Sequence, residues 1–316
     1  MLRNSMKNSL RKIRGRMYKS TKETTYLKIL YLIYQRGILH LNNPKRFSEK
    51  LFYLKLYYRT QKDFIQEIYD KYTARAYAEK KIGEQYLSKL YGVYDSADEI
   101  DFERLPDKFA IKVTQSSGCN LFCNGKDKFQ VEEARKQMNI WQQAMDSKEY
   151  LESSEEGYFH TGKSKIICEE FLEDSEGNIP LDIRLWCFNG KVKFYCMDFD
   201  TVDEEGNKKK FYYRNTYMVK GDLVPVNLGR PYNTAFKRMD LPHFREMVQV
   251  AEKLAEEFVF VRVDLYNIDG RIIFGELTPL PQSGSGRITP RKYDYKFGKM
   301  LKLPDVSLKD LVRDKR

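Results

Sequence analysis

Histidine and cysteine are scarce in this sequence. Its 316 residues include three histidines and five cysteines. His40, His160 and His243 lie far apart, and the closely spaced pair Cys119 and Cys123 has no second pair and no histidine nearby. Zinc sites and nucleophilic pairs need such groups together. We therefore expect neither a zinc site nor Ser/His or Cys/His catalysis, and we expect reduced cysteines in a cytosolic protein.

Long uninterrupted apolar runs are also missing. The most apolar N-terminal stretch is "YLKILYLIYQRGILHL", and Lys28 and Arg36 interrupt it. A signal peptide or a membrane-spanning helix needs an unbroken apolar core. The sequence therefore predicts neither of them.

The net charge of +11 comes from one end of the chain. Residues 1–60 hold 15 Lys or Arg and two acidic residues, and the first 20 residues hold seven basic residues and no acid. This segment predicts either a solvated basic helix or attraction to an anionic membrane or polymer. Because no RNA-binding motif accompanies it, we expect no nucleic-acid partner.

The order of periodic segments predicts an α+β protein with antiparallel sheets. Helical spacing runs over residues 25–90, over residues 131–147 and over "LPHFREMVQVAEKLAEEF". Strands are predicted over "KFAIKV" and "SKIICEEFLE", and a hairpin that turns at Asn189–Gly190 over "LDIRLWCFNGKVKFYCMDF". Residues 201–245 are predicted as a long excursion with a further hairpin or loop.

A second hairpin, "VRVDLYNIDGRIIFGELT", places charged side chains in apolar strands. Its turn is predicted as a three-residue loop over residues 268–270, with glycine in the left-handed position. That loop places Arg262 opposite Glu276 and Asp264 opposite Phe274. The prediction can be tested directly against the strand register.

Strand alternation puts the polar residues of this hairpin on one face. That face is predicted to carry Arg262, Asp264, Glu276 and Thr278. The other face is predicted to carry Val261, Val263, Leu265, Ile273 and Leu277. Two carboxylates on neighbouring strands suit Mg²⁺, which prefers a few carboxylates plus substrate phosphate oxygens. The competing interpretation is a structural ion pair between Arg262 and Glu276 on a solvated face.

Upstream residues complete a candidate nucleotide site. Lys112 is a lone cation in an apolar strand, and its burial calls for an anion. The following loop, with Ser116, Ser117 and Gly118, offers backbone N–H groups and hydroxyls of the kind that bind phosphate, although an ordinary turn has the same composition.

Two further groups of charged residues belong to the predicted strands. Glu169 and Glu170 end one strand, while Asp182 and Arg184 enter the next with their side chains on one face. Arg184 is predicted to be a diagonal neighbour of Lys193 across the Asn-Gly turn. Such a like-charged pair calls for an anion between the two side chains.

These motifs, in this order, resemble a known superfamily. The set "DKYTAR", "FAIKVTQSSGCN", "IICEEFL", "LDIRLWCFNGKV" and "VRVDLYNIDGRIIFGELTPLP" resembles the ATP-grasp superfamily. The segments "FSEKLFYLKLY", "KIGEQYL", "GVYDSADEIDFERLPDKFAIK", "CFNGKVKF" and "FGELT" look like its TupA-like branch, named for a teichuronopeptide biosynthesis protein. The resemblance implies an ATP-grasp fold, in which two α+β lobes with antiparallel sheets grip ATP after a helical N-terminal region.

The resemblance also implies a division of the chain. The expected segments are a basic N-terminal segment (1–24), a helical region (25–108), a small lobe (109–180), a large lobe with the metal-binding hairpin (181–303) and a C-terminal tail (304–316).

Nucleotide-binding roles follow from the resemblance residue by residue. Lys112 matches the lysine that contacts nucleotide phosphate and adenine, and Arg75 stands where a second such lysine is often found. The phosphate-covering loop is matched by Ser116, Ser117, Gly118 and Asn120. The hinge whose backbone pairs with adenine is matched by Glu169, Glu170, Phe171 and Leu172. Asp182 is matched with the ribose hydroxyls, and Lys193 remains a candidate anion contact.

The same resemblance assigns the metal and catalytic residues. Asp264 and Glu276 match the magnesium carboxylates, and Thr278 occupies the place of the usual asparagine ligand. Arg262 resembles the residue that stabilises the reacting phosphate or oxyanion, and we predict that Arg184 assists it. The expected cofactors are therefore ATP and Mg²⁺.

An ATP-dependent carboxylate–amine ligase acting through an acylphosphate is the implied function. Its substrates are expected to be an amino acid or amino group and a cell-surface polysaccharide of the capsular or teichuronic type, or a lipid-linked precursor. We expect peripheral contact with the inner membrane face. The alternatives are a glycosyltransferase or other sugar-modifying enzyme, a phosphotransferase on the same fold, and a catalytically silent binding protein.

Overall fold

The computed structural model describes residues 22–153, 159–160, 163–201 and 209–312. The basic segment predicted within the first 20 residues lies outside them. The helices are α1 (Glu23–Gln35), α2 (Phe47–Thr60), α3 (Lys62–Tyr69), α4 (Lys71–Ile82), α5 (Val131–Asp146), α6 (Lys148–Ser153), α7 (Phe244–Leu254), α8 (Arg291–Met300) and α9 (Leu308–Leu311).

All the sheets of the described chain are antiparallel, as predicted. The strands are β1 (Leu90–Tyr94), β2 (Lys108–Val113), β3 (Asn120–Asn124), β4 (Ile166–Glu170), β5 (Ile183–Phe188), β6 (Lys191–Phe199), β7 (Tyr213–Met218), β8 (Leu223–Val224), β9 (Asn227–Leu228), β10 (Phe260–Ile268), β11 (Arg271–Thr278) and β12 (Ile288–Thr289). Together with the helices they confirm the predicted α+β class.

Internal contacts divide the described chain into two units. The first unit spans residues 63–179, and the second combines residues 22–62 with residues 180–312. The boundary between Ile179 and Pro180 lies beside the predicted lobe boundary. The region predicted as a separate helical segment, 25–108, is shared between the units, because α1 and α2 pack within the second unit and the later helices pack within the first.

The first unit contains a four-stranded sheet in the order β1-β4-β2-β3. In β2, Phe109, Ile111 and Val113 join a core cluster that includes Met138 of α5. The intervening residues, among them Lys112, take the opposite face because side chains alternate along a strand. Strands β1 and β3 were not predicted, since neither shows a clear alternation of buried and exposed residues.

The helix that carries Arg75, α4, begins at a side-chain cap. Asp70 accepts hydrogen bonds from the backbone N–H groups of Tyr72 (2.8 Å) and Thr73 (3.2 Å). The other carboxylate oxygen of Asp70 accepts one from the hydroxyl of Thr114 (2.6 Å), which follows β2. Asp70 in the "DKYTAR" motif therefore both starts α4 and fixes it to the loop after β2.

The second unit contains a six-stranded sheet in the order β11-β10-β5-β6-β7-β8 and a two-stranded sheet of β9 and β12. Helix α2 contributes Phe47, whose ring stacks on Phe188 with 5.0 Å between centroids and meets Phe260 edge-on at 5.2 Å. These aromatic contacts bury one end of strands β5 and β10 and leave their other ends to carry charged side chains.

Two hairpin turns of the large sheet, between β5 and β6 and between β10 and β11, have two residues each. Asn189 and Gly190 have φ values of 50° and 74° and confirm the predicted Asn-Gly turn. Asp269 and Gly270 have φ values of 52° and 94°, and Ile268 pairs with Arg271. The predicted three-residue loop over residues 268–270 is therefore wrong, because the Asp-Gly pair itself closes a tight turn with two positive φ angles.

A bulge changes the predicted register of β10 and β11. The pairing moves by one residue between Asp264 and Leu265, so that Asp264 lies opposite Glu276 and Leu265 opposite Phe274. The predicted pairs of Asp264 with Phe274 and of Arg262 with Glu276 are wrong by two residues, because the two-residue turn moves the pairing by one residue and the bulge in β11 moves it by one more.

The two-residue turn moves one residue to the other face. Ile273 pairs with Tyr266, so it shares the face of Asp264, and Phe274 takes its predicted place opposite Leu265. The expected side of Ile273 is therefore wrong, although the residue is buried.

None of the helices in the described ranges has both the length and the apolar composition that crossing a bilayer would require.

Glu49 near the start of α2 is a stability determinant. Its carboxylate accepts hydrogen bonds from the backbone N–H groups of Lys45 (3.0 Å) and Arg46 (2.9 Å) and from the Arg46 side chain (2.8 Å). Burial raises the pKa of Glu49, but the hydrogen bonds from Arg46 and His40 outweigh burial and lower it to about 2.

Replacing Glu49 by glutamine is expected to lower the free energy of unfolding by about 1–3 kcal/mol at neutral pH, because an amide cannot accept all of these bonds. The native carboxylate has a lowered pKa, so its stabilisation is complete above pH 4.5, the ordinary value, and fades as pH falls towards 2. Urea unfolding at pH 7 and pH 3 measures both effects. A loss at pH 3 equal to that at pH 7 would contradict the assignment.

Candidate active site

Three neighbouring strands of the second unit bring opposite charges into one row. Asp264 of β10 lies directly opposite Glu276 of β11 and directly opposite Arg184 of β5. Residues opposite each other in a sheet share a face. The row therefore confirms that both predicted carboxylates lie on one face, and it adds Arg184 on their other side.

The oxygen atoms of this face converge on the guanidinium of Arg262. Its Nη2 donates to Asp264 Oδ2 and Glu276 Oε1, both at 2.6 Å, and to Thr278 Oγ1 at 3.0 Å. Its Nε donates to Asp264 Oδ1 at 2.6 Å. The structure thus brings together four of the five residues predicted for metal binding and catalysis, and the fifth, Arg184, lies opposite Asp264.

This donor set fits a magnesium ion. Its three oxygen ligands already surround one positively charged nitrogen, and carboxylate and hydroxyl oxygens are hard donors. In the described ranges no group of three or more His, Cys, Asp or Glu is arranged to hold a metal. The set therefore suits an ion that takes its remaining ligands from water and substrate phosphates.

Burial has a marked effect on the first of these carboxylates. Asp264 is 5% exposed, and burial raises its pKa to about 6. The positive charges of Arg262 and Arg184 oppose that rise without cancelling it. Glu276 is much more exposed, at 45% of its side chain. The two carboxylates thus have different environments, one dry and one open to solvent.

A second ion cluster, which the sequence did not reveal, supports Arg184. Asp198 of β6 pairs with Arg184 (3.1 Å) and makes a two-point contact with Arg214 of β7 (2.6 and 2.8 Å). Asp182 pairs with Arg184 from the other side (3.0 Å). Burial raises the pKa of Asp198, but Arg214 and Arg184 outweigh it and lower the pKa below its usual value.

Contrary to the prediction, Lys193 is not the diagonal neighbour of Arg184. Arg184 lies opposite Cys196, and a register shift between Trp186 and Cys187 passes over Lys193. The bulge adds a residue to β6, so that Phe194 takes the diagonal position predicted for Lys193. The anion-binding role predicted for Lys193 loses its geometric reason, whereas Asp182 and Arg184 do share a site.

Tyr266 is a further residue of this face that the sequence did not single out. Its hydroxyl donates a hydrogen bond to Asp182, and the charge of Asp182, together with burial, raises the pKa of Tyr266 well above its ordinary value. A Cβ at Gly275 would lie 3.0 Å from the backbone oxygen of Asp264 and 3.1 Å from the Tyr266 ring. Gly275 therefore leaves room for the ring beside the bulge.

Replacement of Gly275 by alanine is expected to lower the free energy of unfolding by about 1–3 kcal/mol, because the backbone of β10 or the Tyr266 ring must move. Thermal unfolding measures the loss. An unchanged melting temperature would show that the site has more room than the structure indicates.

In the first unit, the anion that the burial of Lys112 calls for is a carboxylate of the protein itself. Its ammonium group forms an ion pair with Glu169, whose other oxygen lies 3.4 Å from Arg75. Arg75 also donates to the hydroxyl of Ser88 at 2.9 Å. Burial raises the pKa of Glu169, but Lys112 and Arg75 outweigh burial and lower it. The structure thus brings Lys112 and Arg75 together around one carboxylate.

The predicted hinge lies at the end of β4. Glu169 pairs with strands on both sides, and the N–H of Glu170 donates to the backbone oxygen of Lys89 (2.8 Å). Phe171 and Leu172 follow the strand, and the Phe171 ring meets Phe122 edge-on. The first two hinge residues therefore use their backbones within the sheet, whereas the last two lie beyond it.

The small-residue loop joins β2 to β3. Ser116 is buried, and its hydroxyl donates to the backbone oxygen of Val113 (2.8 Å). Ser117 and Gly118 are exposed. Asn120 lies opposite Lys112, and its Oδ1 is buried without a hydrogen-bond partner in the described part of the chain. The loop thus offers exposed backbone at Ser117 and Gly118 and a polar side chain beside Lys112.

Comparisons with known proteins are consistent with these motifs. A family model described as TupA-like ATP-grasp matches residues 49–302. None of the curated protein sequences gives a significant match.

Similar solved structures are distant in sequence. D-alanine–D-alanine ligase from Bacillus anthracis is 12% identical, with a TM-score of 0.40 over 67% of this chain and 57% of that chain. The ADP complex of the purK protein, N5-carboxyaminoimidazole ribonucleotide synthetase, is 14% identical, with a TM-score of 0.37 over 67% and 45% of the two chains. D-cycloserine synthetase DcsG is 14% identical, with a TM-score of 0.40 over 75% and 72%. The chain spans about half the length of the first two.

The family model covers the strand that carries Lys112, the loop after it and both strands of the carboxylate hairpin. Since its match extends over most of the sequence, this chain belongs to the TupA-like ATP-grasp family.

Proposed function

We propose that this protein is an ATP-dependent carboxylate–amine ligase that activates its carboxylate substrate as an acylphosphate. The observation that carries the proposal is the convergence of Asp264, Glu276 and Thr278 on the cationic Arg262. Oxygen ligands and an arginine together serve phosphoryl transfer, in which catalysis rests on positioning and charge stabilisation.

The second unit supplies the phosphoryl-transfer residues. Asp264, Glu276 and Thr278 would hold magnesium, which when bound neutralises charge on the phosphate oxygens. Arg262 and Arg184 offer guanidinium groups to the charge that develops on the transferred phosphoryl group. The ion pairs from Asp182 and Asp198 keep the Arg184 side chain in place.

The first unit supplies nucleotide-binding residues. Lys112 and Arg75 present positive charge to phosphate, and Ser117 and Gly118 present exposed backbone. Phe171 and Leu172 lie beyond the end of β4, where backbone groups can pair with the adenine edge. In the second unit, Asp182 is the proposed partner of the ribose hydroxyls.

The reaction needs no nucleophile from the protein. A carboxylate oxygen of the substrate attacks the γ-phosphorus of ATP, the bond to the β,γ-bridging oxygen breaks, and ADP leaves with that electron pair. The amine nitrogen of the second substrate then attacks the acyl carbon, phosphate leaves, and the nitrogen loses a proton to water. The scarcity of histidine and the dispersed cysteines agree with this chemistry.

For the substrates, we propose an amino acid or amino group and a cell-surface polysaccharide or its lipid-linked precursor. The support is the family, whose name refers to teichuronopeptide, and the seven basic residues among the first 20, which suit the anionic inner face of a membrane. Deleting residues 1–20 is expected to reduce sedimentation with anionic liposomes. Equal sedimentation of both proteins would rule out this membrane contact.

ADP release tests the proposed activity. The purified protein is incubated with ATP, Mg²⁺ and a panel of uronic acids, amino sugars and amino acids, with hydroxylamine as a trap. A ligase forms a hydroxamate and releases ADP. A stable phosphorylated product that hydroxylamine leaves unchanged would identify a phosphotransferase. Consumption of a sugar nucleotide without ADP release would identify a glycosyltransferase.

A further inference from the structure

A cavity of about 550 Å³ lies in the second unit, outside the carboxylate hairpin. Its volume falls in the range of roughly 300–1,000 Å³ that small-molecule sites occupy. Three separate segments line it: the end of α1, the stretch after β9 and the stretch between β11 and β12. Neither the sequence motifs nor the proposed chemistry accounts for it.

Two arginines enter this cavity from paired backbone segments. Leu228 of β9 lies opposite Ile288 of β12, and the N–H of Gly229 donates to the backbone oxygen of Arg287 (3.4 Å). The antiparallel register therefore brings Arg230 and Arg287 to the same edge of the small sheet. The described residues that line the cavity include no acidic side chain.

The rest of the described lining is uncharged, with two glycines, one proline and four residues that carry polar groups. Tyr34, Asn227, Gln282 and Ser285 offer hydroxyl and amide groups and one aromatic ring. Such groups hydrogen-bond to hydroxyls, and an aromatic ring packs against the apolar face of a ring-shaped ligand. With the arginines, they suit a hydroxylated anion better than an apolar ligand.

The last residue of helix α1 is hydrogen-bonded to the backbone that forms one wall of the cavity. The side-chain amide of Gln35 donates to the backbone oxygens of Ser285 (2.8 Å) and Gly286 (3.2 Å). Gln35 is buried, so this wall is fixed before any ligand arrives.

The same wall contains strained backbone. Gln282 and Ser283 have φ values of 52° and 50°, which residues other than glycine rarely adopt. A Cβ at Gly229 or Gly286 would lie within 2.6 Å of the Gln282 side chain. Consecutive residues in such a conformation need support from their surroundings and are frequent at binding sites.

Hydrogen bonds connect the cavity to the charged cluster of the large sheet. Arg214 donates from its backbone N–H to the backbone oxygen of Pro231 (2.9 Å) and from its side chain to that of Leu228 (3.3 Å). The same side chain holds Asp198, which in turn holds Arg184. Gln282 also follows the ligand Thr278 by four residues, at most about 14 Å of extended chain.

We propose that this cavity binds the acidic substrate of the ligase, a hydroxylated, sugar-like molecule with a carboxylate or phosphate, other than the reacting carboxylate, that is held by Arg230 and Arg287. The inference rests on the proposed function for the reaction that this substrate enters. In this proposal, the residues that recognise the acidic substrate take no part in binding nucleotide or metal.

Calorimetry without ATP tests the cavity independently of turnover. The full-length protein is titrated with D-glucuronate, with a hexose phosphate and with D-glucose. The variants are Arg287→Gln and Arg230→Gln, and the matched control is Arg245→Gln, an exposed arginine on α7. Arg230 also stacks on Tyr212, at 4.1 Å from the ring centroid, so Arg287→Gln is the cleaner variant.

At least one of the two anions is expected to bind, and glucose is expected to bind at least 10-fold more weakly. Loss of a charge-assisted hydrogen bond in Arg287→Gln should weaken the anion by about 10- to 100-fold, with no change in Arg245→Gln. Binding of glucuronate alone identifies a carboxylate, and binding of the hexose phosphate alone identifies a phosphate. Absence of binding by both, or equal affinity in all variants, would overturn the proposal.

ADP release separates this inference from the proposed function. If the anion binds through Arg287 but neither a hydroxamate with hydroxylamine nor an amide with any amine forms, the ligase proposal fails and the binding site stands. If ligation proceeds and Arg287→Gln leaves the KM for the acidic substrate unchanged, the ligase proposal stands and the cavity is not its binding site.

Discussion

Replacing Glu276 by glutamine is expected to reduce ADP release by a factor on the order of 100 to 1,000, as loss of one electrostatic group in an active site commonly does. Glutamine keeps the size of the side chain but removes the negative charge opposite Asp264. The remaining ligands, Asp264 and Thr278, provide one carboxylate and one hydroxyl. We therefore expect weaker metal binding, measured directly by the electron paramagnetic resonance of Mn²⁺.

The design of this experiment separates chemistry from folding. Because 45% of the Glu276 side chain is exposed, its replacement should change the melting temperature by only a few degrees. Glu246→Gln, on α7 of the same unit and similarly exposed, serves as the control and should retain full activity. Unchanged turnover together with unchanged Mn²⁺ affinity in Glu276→Gln would remove Glu276 from the metal site.

The largest expected loss of stability comes from Asp198. Its side chain is almost fully buried between Arg184 and Arg214. Asparagine in its place leaves two guanidinium groups without their shared counter-charge, and breaking a buried pair in this way costs about 3–5 kcal/mol. Urea unfolding measures the change in the free energy of unfolding.

The pH dependence of the free energy of unfolding provides an independent test of the role of Asp198. Its pKa is lowered in the folded protein, so its contribution is present above the unfolded pKa of about 3.9 and is lost as pH falls below that value. The wild-type protein should therefore lose more stability between pH 5 and pH 3 than Asp198→Asn does.

Two further variants complete the test. Asp200→Asn, which affects a more exposed ion pair with Lys209, should cost less than about 1 kcal/mol. In the double variant Asp198→Asn with Arg214→Gln, the loss should be smaller than the sum of the single losses, because the two residues share one interaction. Strict additivity would show that the buried ion pair has no net value.

The candidate site was predictable where it depends on local pattern. Strand alternation predicts Arg262, Asp264, Glu276 and Thr278 on one face, and their hydrogen bonds confirm it. The Asn-Gly turn and the strand over Lys108–Val113 were likewise predicted correctly. Alternation and turn chemistry act over a few residues, so a single sequence contains the necessary information.

Apart from the loop over residues 268–270 and the unpredicted strands β1 and β3, the errors of prediction concern pairs of segments. The bulges beside Asp264 and near Lys193 each added one residue to a strand, and each changed which side chains lie opposite one another. Asp198 and Arg214 were missed because each is an ordinary charged residue at the end of a strand. Their importance arises from the pairing of β6 with β7.

The sequence alone determined the family, the Asn-Gly turn and the face on which the metal and phosphate residues lie, because these depend on motifs and on the two-residue period of a strand. Only the tertiary structure decided that Asp264 faces Glu276 and Arg184, that Asp198 joins Arg184 to Arg214, and that Arg230 and Arg287 line one cavity. Those arrangements depend on hydrogen-bond register and packing between segments distant in the chain, which local sequence does not encode.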